Sequence, residues 1–444
     1  MGVMFGTDGV RGVANRDLTP ELALKLGRAG VYVLSGRTPG APLVVGRDTR
    51  VSGDMLESAL IAGICSAGVN VLKAGVIPTP AVACLTRVLG AGGGVVISAS
   101  HNPVADNGIK FFGPDGFKLS DETEAEIERL VFSPGIIPSP VGDGVGCCMT
   151  VSDACDRYIE FLKEVAPVDL SGLRIAVDCA NGAASPVVPR LLSELGAEVA
   201  PVFHTPNGVN INNACGSTYP SALQEVVLSC KADVGLAFDG DADRLIAVDE
   251  KGSLVDGDQI MMICARDLKA RGKLVKNTVV VTVMSNLGLH LALREDGINI
   301  IQTQVGDRCV LEELLRIGAT FGGEQSGHII FLDNQTTGDG ALTALKLLSV
   351  LKKSGMALSK LASRMERLPQ LLKNVPVVDK QKVMASPLLM EAIRQREQKM
   401  NGQVRILVRP SGTEPLVRVM AEGKDLEELH IIVEELMQVV SKLA

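Results

Sequence analysis

The chain has 444 residues, enough for about three domains at roughly 150 residues each. Hydrophobic residues make up 46% and charged residues 21%, an ordinary globular composition that excludes a largely disordered or collagen-like chain. A net charge of −7 with no Trp, three Tyr and ten Phe excludes a surface that blankets a nucleic-acid backbone or stacks its bases, so any anion binding must be local.

The N-terminal Met1-Gly2-Val3-Met4-Phe5-Gly6 lacks the basic patch and apolar run of a secretory signal, and Gly6 stands where a myristoylation motif has Ser or Thr. The longest apolar stretch, 60–77, is broken by Asn70, Lys73 and several glycines, so neither a membrane span nor a membrane partner is expected. Ten Cys are scattered without a Cys-x-x-Cys, and only Cys147 and Cys148 are adjacent. Reduced thiols in a cytoplasmic protein fit that pattern better than a zinc cage or a disulfide framework.

Three segments, at 43–48, 174–182 and 279–283, share one layout, a β-branched run, a polar or glycine-containing loop and then a helical pattern. Strands alternating with helices imply parallel pairing, and the recurrence predicts three related α/β domains with mixed, mainly parallel sheets. The third run leads into Asn286-Leu287-Gly288 as the start of its helix. Pro, Gly and Ser concentrate at 134–146 and place a boundary near 150. A second boundary falls near Asp256-Gly257-Asp258. From about 369 the pattern changes to a strand pair, 404–408 and 416–421, followed by a helix over 426–443, a smaller C-terminal α+β domain. The division is 1–150, 151–255, 256–368 and 369–444.

Four loops carry candidate chemistry, one in each domain. The first is Gly94-Val95-Val96-Ile97-Ser98-Ala99-Ser100-His101-Asn102-Pro103, an apolar strand running into a small polar loop, with Ser98 still in the strand pattern. Loops at the carboxyl ends of parallel strands present reactive groups, and Pro103 stops the strand, so Ser100 is a candidate nucleophile and Ser98 a weaker one. A turn serine capping a backbone amide is the bland alternative. Lys110 precedes Phe111-Phe112; either it is desolvated, with its pKa lowered toward proton transfer, or it is simply solvated.

The second loop is Asp239-Gly240-Asp241-Ala242-Asp243-Arg244, between strands at 233–238 and 245–248. Three carboxylates at alternate positions converge on one hard divalent cation, Mg2+ or Ca2+, since packing them without one is costly. An EF-hand fits at Asp239, Asp241, Asp243 and Glu250, but its sixth position would be Arg244 where Gly is required. The third loop, Gly323-Glu324-Gln325-Ser326-Gly327-His328, can offer a carboxylate to sugar hydroxyls or be a plain hairpin. The fourth, Arg409-Pro410-Ser411-Gly412-Thr413-Glu414-Pro415 with Arg418 beyond, suits a phosphate cradle or a plain hairpin turn.

Ser-Ala-Ser-His-Asn-Pro, Asp-Gly-Asp-Ala-Asp-Arg, Gly-Glu-Gln-Ser-Gly-His and Arg-Pro-Ser-Gly-Thr-Glu-Pro resemble, in order and spacing along the whole chain, the four signatures of the α-D-phosphohexomutases. The resemblance implies an isomerase-class intramolecular phosphotransferase, its four domains set around a central cleft. The opening Phe5-Gly6-Thr7-Asp8-Gly9-Val10-Arg11-Gly12, with Ile97 to Ser100, Gln325 and Gly412, is similar to the bacterial branch that works on hexosamine phosphates for cell-wall amino sugars. That branch implies interconversion of glucosamine 6-phosphate and glucosamine 1-phosphate.

By motif, the resemblance makes Ser100 the phosphoserine, and Asp239, Asp241 and Asp243 would hold Mg2+ together with a phosphoserine oxygen. Lys110 matches the family's active-site lysine, and Arg11, His101 and Arg244 match groups lining the phosphoryl-transfer centre. Glu324 and Ser326 would read sugar hydroxyls beside His328. Arg409, Ser411, Gly412, Thr413 and Arg418 would grip the phosphate that is not reacting. Glucosamine 1,6-bisphosphate, or a similar hexose bisphosphate, is implied as intermediate and activator, a hexosamine phosphate as the small-molecule partner, and a homodimer as the assembly. Val305-Gly306-Asp307-Arg308 resembles a family segment that usually continues with Tyr, whereas this chain has Cys309. The nearest alternative is a phosphomannomutase or phosphoglucomutase using the same machinery; a non-catalytic sugar-phosphate binder and a serine phosphatase stand behind it.

Overall fold

Apolar β-branched runs in an α/β chain become strands buried on both faces, and the computed structural model shows this sheet by sheet. It describes residues 4–6, 8–36, 38, 40–400, 403–411 and 415–443; Gly412 and Thr413 of the expected phosphate cradle lie outside them. The chain divides into two compact units, Met1–Met284 with Ile298–Ser363, and Ser285–Gly297 with Arg364–Ala444.

Among the described residues the larger unit holds three sheets. The first comprises β1 (Val10–Val13), β2 (Leu43–Arg47), β3 (Val71–Val76), β4 (Gly93–Ile97), β5 (Asp106–Phe112) and β6 (Cys148–Thr150), in the order β1-β5-β4-β2-β3-β6. β2 runs parallel to β3 and β4, and β3 to β6, while β5 pairs antiparallel with β4 and β1. The second comprises β7 (Arg174–Asp178), β8 (Glu198–Val202), β9 (Val234–Phe238), β10 (Leu245–Asp249) and β11 (Leu254–Val255), in the order β11-β10-β9-β7-β8. Here β7 is parallel to β8 and β9, and β9 turns antiparallel into β10. The third comprises β12 (Thr278–Thr282), β13 (Asn299–Thr303), β14 (Phe321–Gly323) and β15 (Ile329–Phe331), with β12 parallel to β13 and β14, and β14 antiparallel to β15.

Several strands of the larger unit are buried from end to end. Every residue of β4, β9, β10 and β12 is buried. Val95 and Ile97, fully buried just before the Ser98 loop, each contribute about 1.5–3 kcal/mol by leaving water. Helix starts follow local chemistry. Thr19 accepts from Leu22 N ahead of the helix Pro20–Ser35, whose first residue is proline, and Asp256 closes a capping box with Gln259 ahead of Gly257–Ala270. Helices Pro20–Ser35 and Ser52–Ser66 meet backbone to backbone: a Cβ on Gly27 would lie 2.3 Å from the Leu60 carbonyl oxygen, and one on Gly63 2.1 Å from that of Leu24.

The smaller unit is an antiparallel sheet of β16 (Gln370–Pro376), β17 (Val404–Pro410) and β18 (Leu416–Gly423), with β18 central. The helix Leu426–Leu443 buries Leu429, Ile432, Val433, Leu436 and Val440, a helical apolar stripe that joins Val417, Val419 and Ala421 of the sheet in one core. The helix Leu287–Glu295, which the sequence assigns to the third α/β repeat, belongs to this unit. Its entry is fastened by Asn286, which donates from Nδ2 to the Leu368 carbonyl and accepts on Oδ1 from Leu368 N and Gly288 N, each at 3.0 Å. Among the described residues no helix is long and apolar enough to cross a membrane.

Candidate active site

Beyond Ile97 the β4 strand ends because Ser100 takes a left-handed backbone conformation, φ +52°. That turn directs Ser100 inward, and the residue is 1% exposed. Its Oγ donates to Asp239 Oδ2 at 2.6 Å and lies 3.3 Å from His101 Nδ1. Asp239 opens the turn between β9 and β10, whose antiparallel register pairs Phe238 with Leu245. Ala242, at φ +58°, lets the chain reverse so that all three aspartates face one point. Gly240 is needed there: a Cβ on it would lie 2.5 Å from the Ser100 carbonyl oxygen and 2.8 Å from Asn212 Nδ2.

One oxygen from each of Asp239, Asp241 and Asp243 lies within 4.8 Å of the others, and all three residues are buried. Asp241 Oδ1 and Asp243 Oδ1 are buried without a hydrogen-bond partner. Burial, with repulsion from Asp243 and Asp241, pushes Asp239 well above the ordinary carboxylate range. Burial and Asp241 push Asp243 up as well. Asp241 is held low despite its burial, because Lys110 Nζ stands 3.1 Å from its Oδ2 and Thr79 Oγ1 donates to the same oxygen at 2.7 Å. Converging, partly orphaned carboxylates that repel one another are the donor set of a hard divalent cation, so these residues fit one.

Lys110 sits in β5, buried and 2.7 Å from Asp8 Oδ2 as well as beside Asp241. The expectation of a lowered pKa is overturned: burial does pull it down, but the Asp241 and Asp8 carboxylates outweigh burial and hold the ammonium above its usual range. Its alternative, a simply solvated lysine, is excluded by its 2% exposure.

His101 behaves oppositely. Burial, then the charges of Arg244 and Arg11, lower it to about 4, so the ring is neutral at neutral pH. Arg244 Nη1 is 2.9 Å from His101 Nδ1. Since guanidinium only donates, Nδ1 accepts and the ring proton is on Nε2. Arg11 in β1 points its guanidinium to Asp8.

Of these groups, Arg11, His101, Asp243 and Arg244 face a cavity of about 400 Å³ whose walls also include Asp307, Glu324 and His328. Glu324 to His328 is the loop of the β14–β15 hairpin, and Glu324 lines the cavity while its Oε1 accepts from Gly306 N at 3.1 Å. His328 is buried, with Nε2 3.6 Å from Asp307 Oδ2 and 3.9 Å from Asp243 Oδ2. Ser326 is exposed on the loop and does not line this cavity.

The remaining expected site residues lie in the smaller unit. Arg409 and Arg418 face each other in register across β17 and β18, and burial together with Arg418 lowers the Arg409 pKa. Like charges directly opposite in a sheet are unfavourable, which suits a site that takes an anion. Ser411 is buried beside them, donating from N to the Leu416 carbonyl at 2.9 Å and receiving Lys380 Nζ on its own carbonyl at 2.7 Å.

Sequence reasoning missed three charged residues of the larger unit. Asp8 accepts from Lys110, Arg11 and Lys118; Lys118 donates to Asp8 Oδ1 at 2.6 Å and to Asp307. Asp8 and Asp307 stand in segments quoted for the family resemblance, the only signal available for them; Lys118 carried none.

Against known proteins, the chain matches "Phosphoglucomutase/phosphomannomutase, alpha/beta/alpha domain I" over residues 2–135, domain II over 156–252, domain III over 256–368 and the C-terminal domain over 372–439. Phosphoglucosamine mutase of Pelotomaculum thermopropionicum is 67% identical over 444 residues, the whole of both chains. That of Desulforamulus reducens is 62% identical over the same span, again the whole of both chains. A crystal structure of a phosphoglucomutase/phosphomannomutase family protein from Burkholderia thailandensis superposes with a TM-score of 0.82 at 26% identity, covering 98% of this chain and 97% of that one.

Proposed function

The chain belongs to the phosphoglucomutase/phosphomannomutase family, and from that premise we propose that it interconverts glucosamine 6-phosphate and glucosamine 1-phosphate through a phosphoserine at Ser100. The observation that carries this reading is the Ser100 hydroxyl aimed at Asp239 at 2.6 Å, in the mouth of a buried three-carboxylate turn. Full-length identity to phosphoglucosamine mutases supports the amino sugar as substrate.

Moving a phosphoryl group between two ends of one sugar needs a donor that holds the group while the sugar turns, which a serine ester does. In the first half-reaction the sugar's free hydroxyl oxygen bonds to phosphorus, the serine O–P bond breaks, and the hydroxyl proton ends on the serine oxygen. The resulting 1,6-bisphosphate reorients and returns its other phosphate to Ser100 by the reverse step. The same bisphosphate, or a similar one, charges the unmodified enzyme. Asp239, Asp241 and Asp243, with an oxygen on Ser100, would hold Mg2+, whose chemistry there is to offset charge on the group in transfer.

Arg11 and Arg244 are placed to steady that group from the cavity side. Lys110 Nζ stays protonated beside Asp8 and Asp241 and adds positive charge next to the three-carboxylate turn, while neutral His101 holds Arg244 in place. Ser100's burial keeps bulk water from intercepting the phosphoryl group. Glu324, Ser326 and His328 are assigned to the sugar, and Arg409, Ser411, Gly412, Thr413 and Arg418 to the distal phosphate. The division at 1–150, 151–255, 256–368 and 369–444 gives each of the four motif loops its own domain, and the four matched family segments fall inside these bounds, which supports it. Work on a cytoplasmic amino-sugar precursor agrees with the absence of a spanning helix among the described residues.

The test is turnover of glucosamine, mannose and glucose phosphates by the purified chain with Mg2+ and a trace of hexose 1,6-bisphosphate. The glucosamine phosphates should lead in kcat/KM by about tenfold or more. Preference for either neutral sugar would overturn the substrate assignment.

A further inference from the structure

Ser100 is not glycine, yet its backbone is left-handed, so the surrounding structure must hold it there. Its loop turns three carbonyls inward, those of Ser100, Asn102 and Pro103, and all three are met by one side chain. Arg50 is 0% exposed; its Nη2 donates to Ser100 O at 2.9 Å and Asn102 O at 2.8 Å, its Nη1 to Pro103 O. Arg50 Nε donates to Asp48 Oδ2 at 2.9 Å. The same Asp48 oxygen accepts from Ser98 Oγ at 2.6 Å, and Ser98 Oγ in turn accepts from Ser100 N at 2.9 Å. The N–H and the C=O of the reactive serine are thus both tied, through Ser98 and through Arg50, to one buried carboxylate.

A buried Arg–Asp pair is a poor way to gain stability, because desolvation consumes most of the attraction. What this pair provides is geometry: a planar fork matched to fixed carbonyls leaves the loop one conformation. Asn212 Nδ2 reinforces it from the segment that follows β8, donating to Ser100 O at 2.8 Å and Asn102 O at 3.1 Å. Neither Arg50, Asp48 nor Ser98 lines the cavity that holds Arg11, Arg244 and Glu324.

We propose that Asp48, Arg50 and Ser98 are positioning residues for phosphoryl transfer, a clamp that fixes the direction in which Ser100 presents its oxygen. This rests on the mutase reading above and adds that Ser98, the weaker nucleophile candidate in the sequence, serves the reaction through the Ser100 amide. Displacing a reacting atom by about an ångström lowers rate without weakening ground-state binding.

The experiment compares full-length wild type, Ser98→Ala, Ser98→Thr and Arg50→Lys for kcat, KM and Tm with glucosamine phosphates. For Ser98→Ala, kcat should fall about 10- to 100-fold with KM within about twofold, since substrate contacts are untouched. Its Tm should stay within about 5 °C, the scale of one lost hydrogen bond in a chain of this size. Ser98→Thr, which keeps the hydroxyl, should recover most of kcat, and Arg50→Lys, which cannot span three carbonyls, should lose at least as much as Ser98→Ala. Wild-type kcat in both Ser98→Ala and Arg50→Lys, or a rise in KM in place of the fall in kcat, overturns the clamp. Failure of the wild type to turn over any hexose phosphate would refute the mutase reading and the clamp's role together, so the two failures are distinguishable.

Discussion

Lys110 carries the sharpest contrast between what its neighbours in sequence suggest and what its neighbours in space impose. Phe111 and Phe112 beside it point to desolvation, and the side chain is indeed buried. Two carboxylates at 2.7 and 3.1 Å reverse the outcome. A unit-charge pair at that range is worth about 4 kcal/mol or more at an effective dielectric of about 20, so two of them exceed the penalty of burial. Lys110→Met should therefore cost about 10²- to 10⁴-fold in kcat, measured in the mutase assay with secondary structure checked by circular dichroism. Turnover within about fivefold of wild type would remove Lys110 from the mechanism. At this scale the sequence showed what local spacing can show: alternating Asp239, Asp241 and Asp243, and Ser100 at a strand end. Lys118 was hidden because its partners Asp8 and Asp307 lie 110 and 189 positions away, and no local pattern encodes such a pairing.

Elements with strong apolar periodicity were legible almost to the residue. The helix at 426–443 forms with those bounds, and the strand expected at 245–248 forms as β10, Leu245–Asp249, one residue longer. What periodicity could not say was where a helix docks, and Leu287–Glu295 belongs to the C-terminal unit although its strand β12 belongs to the other. That helix carries His290, whose ring burial, with the charges of Arg405 and Arg294, lowers its pKa to about 4. A depressed folded pKa means the unfolded chain takes up a proton first, so the stabilisation is fully present above the unfolded value of about 6.5 and is lost as pH falls from there to about 4. The loss should reach on the order of 2–4 kcal/mol for the cooperative step that includes this unit. Denaturant titrations of the full chain at pH 7.5 and pH 4.5 check it: the stability difference should shrink in His290→Gln. Equal pH dependence in the two proteins would show that His290 titrates normally.

Across the whole molecule, four weak motifs in the right order were worth more than any one alone, because each supplied a different part of a single reaction. The resemblance they supported is borne out by four matching family segments and by full-length relatives. The three-sheet α/β architecture with an antiparallel C-terminal sheet was legible for the same reason that its strands are buried: long β-branched runs have few other places to go. The antiparallel margins of the first two sheets, β1 with β5 and β10 with β11, had no counterpart in the βαβ pattern. The account as a whole depends on Ser100 carrying the phosphoryl group. Peptide mass spectrometry of the protein after exposure to a hexose 1,6-bisphosphate, with turnover recorded on the same sample and on Ser100→Ala, tests it most directly. A phosphate on the Ser100 peptide, lost together with turnover in Ser100→Ala, is the predicted result; an active wild type with Ser100 never phosphorylated, or a fully active Ser100→Ala, would contradict it.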